Sequence, residues 1–349
     1  MMNNKSIPES SIIEEMSAKA DKSLIPLSVL IELTRHCNLQ CKHCYRIEDK
    51  KRTEMSLATI LDLIAGLHQS GCLFLAISGG EPLMHPSFLE ICRRASSSNL
   101  ALKIFTNGTL ITTALSKKLA SLNIIDISLS IYGASPATHD RITQKKGSYK
   151  KTINAALILK DSGLNVRFKY IMMQDNISDY KDMLALSKKM KIPYDIDPVI
   201  TPCDNGDAAP TKLRLRDKDL EIFYRNILST GKLSVPENRT RSDSVCSFGR
   251  SCCAINSYGD VYPCIQLPVP AGNIQNDAFR EIWRNSKWLK EIRGFCTRKK
   301  PVCNNCELSI YCHRCPGMDY LETKSIYGIS RETCRHARII KKVLQNAEN

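Results

Sequence analysis

The 349-residue sequence has no apolar run long enough to span a bilayer. It also lacks a secretory h-region, because its first 26 residues interleave Glu14, Glu15 and Asp21 with Lys5, Lys19 and Lys22. These absences point to a cytoplasmic protein without a membrane partner. Aromatic residues make up only 6% of the chain and do not interleave with basic ones, so nucleic acid is not an expected partner. Acidic residues are in the minority: 35 Asp+Glu against 50 Lys+Arg leave a formal charge of +15. Such an excess suits ordinary solubility or an acidic partner, such as an acidic peptide or a carboxylate-rich small molecule.

Cysteine, by contrast, is plentiful, with sixteen in the chain. Disulfide scaffolds are small and secreted, whereas clustered cysteines in a cytosolic chain indicate metal binding. The first cluster is Cys37, Cys41 and Cys44, spaced C-x3-C-x2-C and followed by Tyr45. The apolar run Leu30-Ile31-Glu32-Leu33 before it is strand-like, which puts the cysteines on the loop where that strand ends. Three thiolates this close hold three corners of an iron–sulfur cube and leave the fourth iron open, whereas closed [4Fe–4S] sites take four Cys. A structural zinc knuckle is the rival reading, but three cysteines without a nearby fourth fit it poorly.

Downstream, short apolar runs alternate with helical patterns. Leu73–Ile77, Leu102–Phe105, Ile125–Ser130, Val166–Met173 and Tyr194–Val199 join the first run to make six strands. Ser56 is placed to cap a helix carrying Leu57, Ile60, Leu61 and Ile64, and Gly71 to end it. Tyr149, Ile153, Ala156 and Leu157 are expected to share the buried face of another helix. Alternation at this pace predicts an α/β fold of parallel strands with crossover helices, with its chemistry at the C-terminal strand ends. There lie Ser78-Gly79-Gly80-Glu81-Pro82, Thr106-Asn107-Gly108, Ser130-Ile131-Tyr132-Gly133 and, a little later, Arg141.

The Cys37–Cys44 loop, the Gly79-Gly80-Glu81 segment one βα unit later, and the six-strand count resemble the radical S-adenosylmethionine (radical SAM) enzymes. The resemblance implies a partial (β/α)6 TIM-like barrel. It also implies a [4Fe–4S] cluster on Cys37, Cys41 and Cys44 that cleaves S-adenosylmethionine to a 5′-deoxyadenosyl radical, which takes a hydrogen from the substrate. Gly79, Gly80 and Glu81 would hold the methionine amino group, and Ser130 would face the ribose. Arg141 would meet the carboxylate, Tyr45 the adenine or the core, and Asn107 would stand at the barrel mouth.

The last hundred residues carry Cys246, Cys252, Cys253, Cys264, Cys296, Cys303, Cys306, Cys312, Cys315 and Cys334. Tyr258-Gly259-Asp260 is a hairpin signal among them. The run C-x2-C-x5-C-x2-C followed by a distant Cys resembles the SPASM extension of radical SAM peptide-modifying enzymes, although C-x3-C is usual where Cys312 and Cys315 stand. By position it implies two auxiliary [4Fe–4S] clusters in a small Cys-rich iron–sulfur domain. One would use Cys246, Cys264, Cys315 and either Cys253 or Cys252, with Cys253 preferred. The other would use Cys303, Cys306, Cys312 and Cys334. A pair of zinc sites is the alternative. Cys203 stands as an incidental loop thiol or a donor to a substrate radical, Cys296 as a free thiol, and Cys72 and Cys92 as core residues.

The expected divisions are an N-terminal extension (1–27), the barrel (28–210), a bridging helix and linker (211–240) and the auxiliary-cluster domain (241–340). The resemblance implies a peptide substrate and oxidative maturation such as a thioether or other cross-link. A reducing partner such as flavodoxin or ferredoxin would supply electrons. Only about 27 residues precede the first strand, so either a separate leader-recognition protein is a partner or the substrate needs no leader. Tetrapyrrole modification in haem synthesis, sulfatase-type protein maturation and a non-enzymatic electron carrier remain the rival functions.

Overall fold

The computed structural model describes residues 9–47, 49, 51–230, 246–295 and 301–348. Helix α1 (Glu9–Ser23) leads into β1 (Ser28–Glu32). Then follow α2 (Leu57–Gln69), β2 (Phe74–Ser78), α3 (Phe88–Ser97), β3 (Ala101–Thr106), α4 (Thr113–Leu119), β4 (Ile124–Ile131), α5 (Pro136–Thr143), α6 (Ser148–Asp161), β5 (Val166–Ile171), α7 (Tyr180–Met190) and β6 (Tyr194–Asp197). All six expected strands are present, and β1 to β6 lie side by side in sequence order, each pair parallel. This is the partial (β/α)6 barrel.

Local chemistry accounts for the elements. Ser56 accepts from Thr59 N at 3.1 Å and so starts α2, whose Ile60, Leu63, Ile64 and Leu67 are buried. The chain then turns at Gly71 with φ +88°, a backbone state that suits glycine. In α6 the expected face is displaced. Thr152, Ala155, Ala156 and Leu159 are buried, and Leu157 is 46% exposed. The β3–α4 turn comes too close for large side chains: a Cβ on Gly108 would lie 3.2 Å from Ala155 Cβ, and Thr152 donates to the Asn107 carbonyl at 2.7 Å. Small residues therefore take the inner face.

The strands alternate in two chemistries. Leu102, Ile104, Val166, Phe168 and Tyr170 are buried against the helices. The opposite faces carry an ionic ladder across the open lumen. Asp126 bridges Lys103 and Arg167 at 3.4 and 3.6 Å, and Asp195 bridges Arg167 and Lys169 at 3.3 and 3.9 Å. An open half-barrel lets water reach this face, so alternating charges are tolerated where a closed barrel would pack apolar layers.

After α8 (Asp217–Ser229), the sheet is extended by β7 (Cys252–Ile255), β8 (Asp260–Tyr262) and β9 (Gly272–Asn273), giving the order β6-β5-β4-β3-β2-β1-β7-β8-β9. Strand β7 runs parallel to β1, while β8 and β9 are antiparallel additions. The β7–β8 turn is the expected hairpin, with Gly259 at φ +85°. The Cys-rich region is thus built onto the barrel's own edge strand. Helices α9 (Phe279–Asn285), α10 (Lys287–Arg293), α11 (Pro301–Asn304), α12 (Pro316–Thr323) and α13 (Arg331–Glu348) complete it. Helix α13 is pinned to α8 by His336, which accepts or donates at Tyr224 Oη (2.6 Å) and Glu332 (3.0 Å). Among the described residues no helix is long and apolar enough to cross a membrane.

Candidate active site

The loop after β1 is shaped by its own polar groups. Glu54 accepts from Thr34 Oγ1 at 3.1 Å and Arg35 N at 2.5 Å, and Thr34 Oγ1 accepts from His36 N at 3.1 Å. The outer arm docks on the end of α5, with Gln40 N and Lys42 N donating to Thr143 and Ile142 carbonyls at 3.1 and 3.0 Å. Alongside runs the Gly79-Gly80-Glu81 segment. Gly80 N donates to Thr34 O at 2.6 Å and Glu81 N to His36 O at 2.8 Å. A Cβ on Gly80 would lie 2.0 Å from His36 O, and one on Gly79 would lie 2.6 Å from Thr34 O. The two glycines are therefore required by the approach of the Cys loop itself.

Cys37, Cys41 and Cys44 open on one cavity of about 720 Å³, whose wall also includes Tyr45, Gly79, Gly80, Asn107 and Ser130. Asn107 Nδ2 reaches Cys37 Sγ at 4.0 Å and Asn38 Oδ1 at 2.9 Å. Burial raises the Cys37 thiol, and burial with the neighbouring Cys44 and Cys37 pushes Cys41 up to about 12. As thiolates the three would repel one another in a partly dry wall, so a compensating cation is what this donor set is suited to hold. Among the described residues no three His, Cys, Asp or Glu side chains converge on a single metal ion. An iron–sulfur cube, which takes one thiolate per iron, suits thiols spread around a cavity.

Two of the expected cofactor contacts lie elsewhere. Glu81 is fully buried and spends its carboxylate inside the fold, accepting from Thr106 Oγ1 at 2.6 Å, Asn107 N at 2.8 Å and Leu83 N at 3.2 Å. It clamps the β2 loop to the β3 loop. Arg141 is 49% exposed, pairs with Asp175 at 3.1 Å and donates to its carbonyl at 2.7 Å, off the cavity wall. The turn of α5 that carries Arg141 faces the β5–α7 connection, which captures the guanidinium first. Tyr45 is on the wall, but its hydroxyl donates to Glu32 at 3.2 Å.

Three wall residues carry no motif signal. His43 is half-buried with its Nδ1 buried and unpartnered, sits edge-on to Tyr132 at 4.4 Å, and has its pKa lowered to about 4 by desolvation. Arg35 pairs with Asp204 at 2.6 Å and Glu32 at 3.6 Å. Arg46 donates to Gly80 O at 3.1 Å, approaches Glu32 to 3.8 Å, and leaves Nε buried without a partner. The available signal was Glu32, a charge at an inward position of an otherwise apolar strand.

The C-terminal thiols form two groups. Cys303, Cys306, Cys312 and Cys334 line one small cavity together with Asp319 and Ser330. In the other group, burial and then Cys264 and Cys315 push Cys246 up to about 11. Burial followed by Cys264 and Cys246 raises Cys252, and burial followed mainly by Cys264 raises Cys315. The preference for Cys253 is corrected here. Successive residues of β7 face opposite ways, so Cys252 points to Cys246 and Cys264 while Cys253, 4% exposed, belongs to the main hydrophobic core. Cys315 donates to Gln266 Oε1 at 3.2 Å, and Gln266 lines the large cavity. Cys203 is buried with Sγ at 3.7 Å from Cys44 O and is not on the cavity wall. Cys296 lies outside the described residues.

Residues 31–186 match the Radical SAM superfamily, and residues 246–307 match the SPASM iron–sulfur cluster-binding domain. The chain is a radical SAM enzyme with a SPASM extension. Its cofactors are accordingly S-adenosylmethionine, the radical SAM [4Fe–4S] cluster and auxiliary iron–sulfur clusters. Two curated relatives place this radical SAM enzyme among its neighbours. An AdoMet-dependent heme synthase of Methanosarcina barkeri is 27% identical over 338 residues, covering 85% of this chain and 95% of that protein. The mycofactocin maturase MftC of Mycobacterium tuberculosis is 26% identical over 322 residues, covering 86% and 79%. In fold, the radical SAM enzyme resembles Streptococcus suis SuiB bound to the precursor peptide SuiA, with TM-score 0.69 at 16% identity over 96% of this chain and 82% of that one.

Proposed function

We propose that this radical SAM enzyme acts in the cytoplasm on a peptide, removing hydrogen to form a thioether or other cross-link. The charge balance of the cavity carries this reading. Among the described residues, every Lys or Arg on its wall has a carboxylate partner: Arg35 with Asp204, Arg46 with Glu32, and Lys169 with Asp195. A tetrapyrrole bearing several propionates calls for unpaired cations, whereas a peptide side chain inserted into the cavity does not. A maturase relative and a peptide-bound fold neighbour support the same choice.

In this proposal Cys37, Cys41 and Cys44 hold the open cluster. Cys246, Cys252, Cys264 and Cys315 hold one auxiliary cluster, and Cys303, Cys306, Cys312 and Cys334 hold the other. The open cluster with S-adenosylmethionine supplies one-electron cleavage of the sulfonium and a hydrogen-abstracting group. The chain does the rest. Gly79 and Gly80 bring backbone to the cavity wall, Ser130 and Asn107 offer hydroxyl and amide, and the half-buried Arg46 sets a positive charge beside Cys37 and Cys44. Ile265, Gln266, Pro268 and Leu321 add wall from the C-terminal region, which limits water around a bound substrate. A flavodoxin or ferredoxin delivers electrons, and a separate protein presents the peptide's leader.

The test is intact mass of small peptides encoded beside this gene after anaerobic co-expression, with and without the enzyme. A peptide that loses the mass of two hydrogens, and keeps it when Cys37, Cys41 and Cys44 are replaced by Ala, establishes a cross-linking maturase. No mass change in any peptide, with S-adenosylmethionine still cleaved, would discard the peptide reading in favour of a tetrapyrrole.

A further inference from the structure

Helix α1 reaches the metal-binding region through its last turn. Ser247, next to Cys246, donates its hydroxyl to Asp21 Oδ2 at 3.2 Å. Ser251, next to Cys252, donates to Asp21 Oδ1. One carboxylate therefore holds both ends of the loop that separates two thiols of the same group. Backbone bonds close that loop on itself: Cys252 N to Ser247 O at 3.2 Å and Gly249 N to Cys252 O at 2.9 Å. The chain leaving α1 is fixed on two further sides. Trp283 Nε1 donates to Leu24 O at 2.6 Å, and Ser28 N to Ser251 O at 3.0 Å. Asp21 is also near enough to add, after burial and the neighbouring thiols, to the upward push on both Cys246 and Cys252.

We infer that Asp21 is a positioning residue for the first auxiliary cluster: it fixes the Cys246–Cys252 loop at ligating separation and sets a negative charge beside the cluster, lowering its reduction potential. This role rests on the assignment of Cys246, Cys252, Cys264 and Cys315 to one cluster. Partners outside the ligand set orient ligands and tune a metal site, and net charge near an iron–sulfur cluster is one determinant of its potential. The N-terminal helix is then a working part of the cluster site rather than a surface appendage.

The test uses the full chain, anaerobically reconstituted, in a background with Cys37, Cys41 and Cys44 replaced by Ala so that only the auxiliary clusters report. Iron and acid-labile sulfide are counted, and midpoints are read by EPR-monitored potentiometric titration. Asp21→Asn preserves shape and one acceptor but removes the charge. It is expected to keep its iron and to shift one auxiliary midpoint to more positive potential, leaving the other in place. Asp21→Ala, and the double change Ser247→Ala with Ser251→Ala, are expected to lose about four irons, one cluster's content. Unmoved midpoints in a fully loaded Asp21→Asn would overturn the charge role, and full iron in both loop variants would overturn the pinning role. If Asp21→Ala does not fold, Asp21→Asn still decides. A parent chain that takes up zinc and no iron in this background would sink the cluster assignment itself, and the role of Asp21 with it.

Discussion

The two cysteine regions solve opposite problems on one continuous sheet. In the first, three thiols stand on the wall of a large cavity whose other walls include glycine backbone, amide, hydroxyl and paired charges. In the second, Cys303, Cys306, Cys312 and Cys334 face one another across a small space with little room for anything besides a cluster. Metal sites that do chemistry keep a position open, and sites that hold structure or pass electrons close it. The number of thiols and the size of the adjoining space thus separate the two jobs without reference to any bound molecule.

Removing the thiols of the open site is the severest way to probe that contrast. With Cys37, Cys41 and Cys44 all changed to Ala, release of 5′-deoxyadenosine should fall to background. Iron should drop by only about four atoms per chain, since the auxiliary groups do not depend on this loop. If the triple variant still released 5′-deoxyadenosine, the division between the regions would be wrong.

Gly80→Ala should come close to the same result without touching a cysteine. The new Cβ would lie 2.0 Å from His36 O, a backbone atom that cannot swing aside, so the Cys loop must move. Loss of about four irons and of S-adenosylmethionine cleavage is expected. A fully loaded, active Gly80→Ala would mean that the loop tolerates displacement and that the glycines serve the ligand alone.

These positions also show what the sequence could and could not disclose. The six strands, the cap at Ser56, the hairpin at Gly259 and the loop cysteines were legible because each rests on local spacing. The choice between Cys252 and Cys253 was not. Adjacent residues on a strand differ only in the face they take, and that face is fixed by β7 pairing with β1, some 220 residues earlier in the chain. The partners of Glu81 and Arg141 were hidden for a related reason: Thr106 and Asp175, which capture them, belong to other βα units. A motif names residue types at a strand end and is silent about which neighbour reaches them first.

Glu32→Gln probes the buried charges beside the open site. Glu32 is 1% exposed and faces Arg35 and Arg46, at 3.6 and 3.8 Å. Withdrawing its charge leaves two guanidiniums under-compensated in a largely dry wall. The expected loss is about 3 kcal/mol of stability, measured as a lower chemical-denaturation midpoint. The auxiliary iron should be unaffected, and an unchanged midpoint would show that water already screens this network.

The pair Cys252→Ala and Cys253→Ala sharpens the comparison within the closed region. The first should remove about four irons per chain, while the second should keep its iron and cost about 1 kcal/mol for the small core void. The reverse pattern in an iron assay would restore Cys253 as the ligand.

The smallest effect is expected at Arg141, and it is informative for that reason. Its guanidinium is 49% exposed and already engaged with the Asp175 carboxylate and carbonyl. An exposed pair of this kind contributes at most about 1 kcal/mol. Arg141→Ala should leave the KM for S-adenosylmethionine within roughly twofold, a change smaller than a single good hydrogen bond would produce. Arg46 stands on the cavity wall and, although its charge is paired with Glu32, keeps its Nε buried and unpartnered. Arg46→Met should therefore raise that KM where Arg141→Ala does not. If the two variants gave the opposite result, the cofactor would have to reach past the cavity wall to α5, and the loop bonded to Thr143 and Ile142 would have to open to admit it.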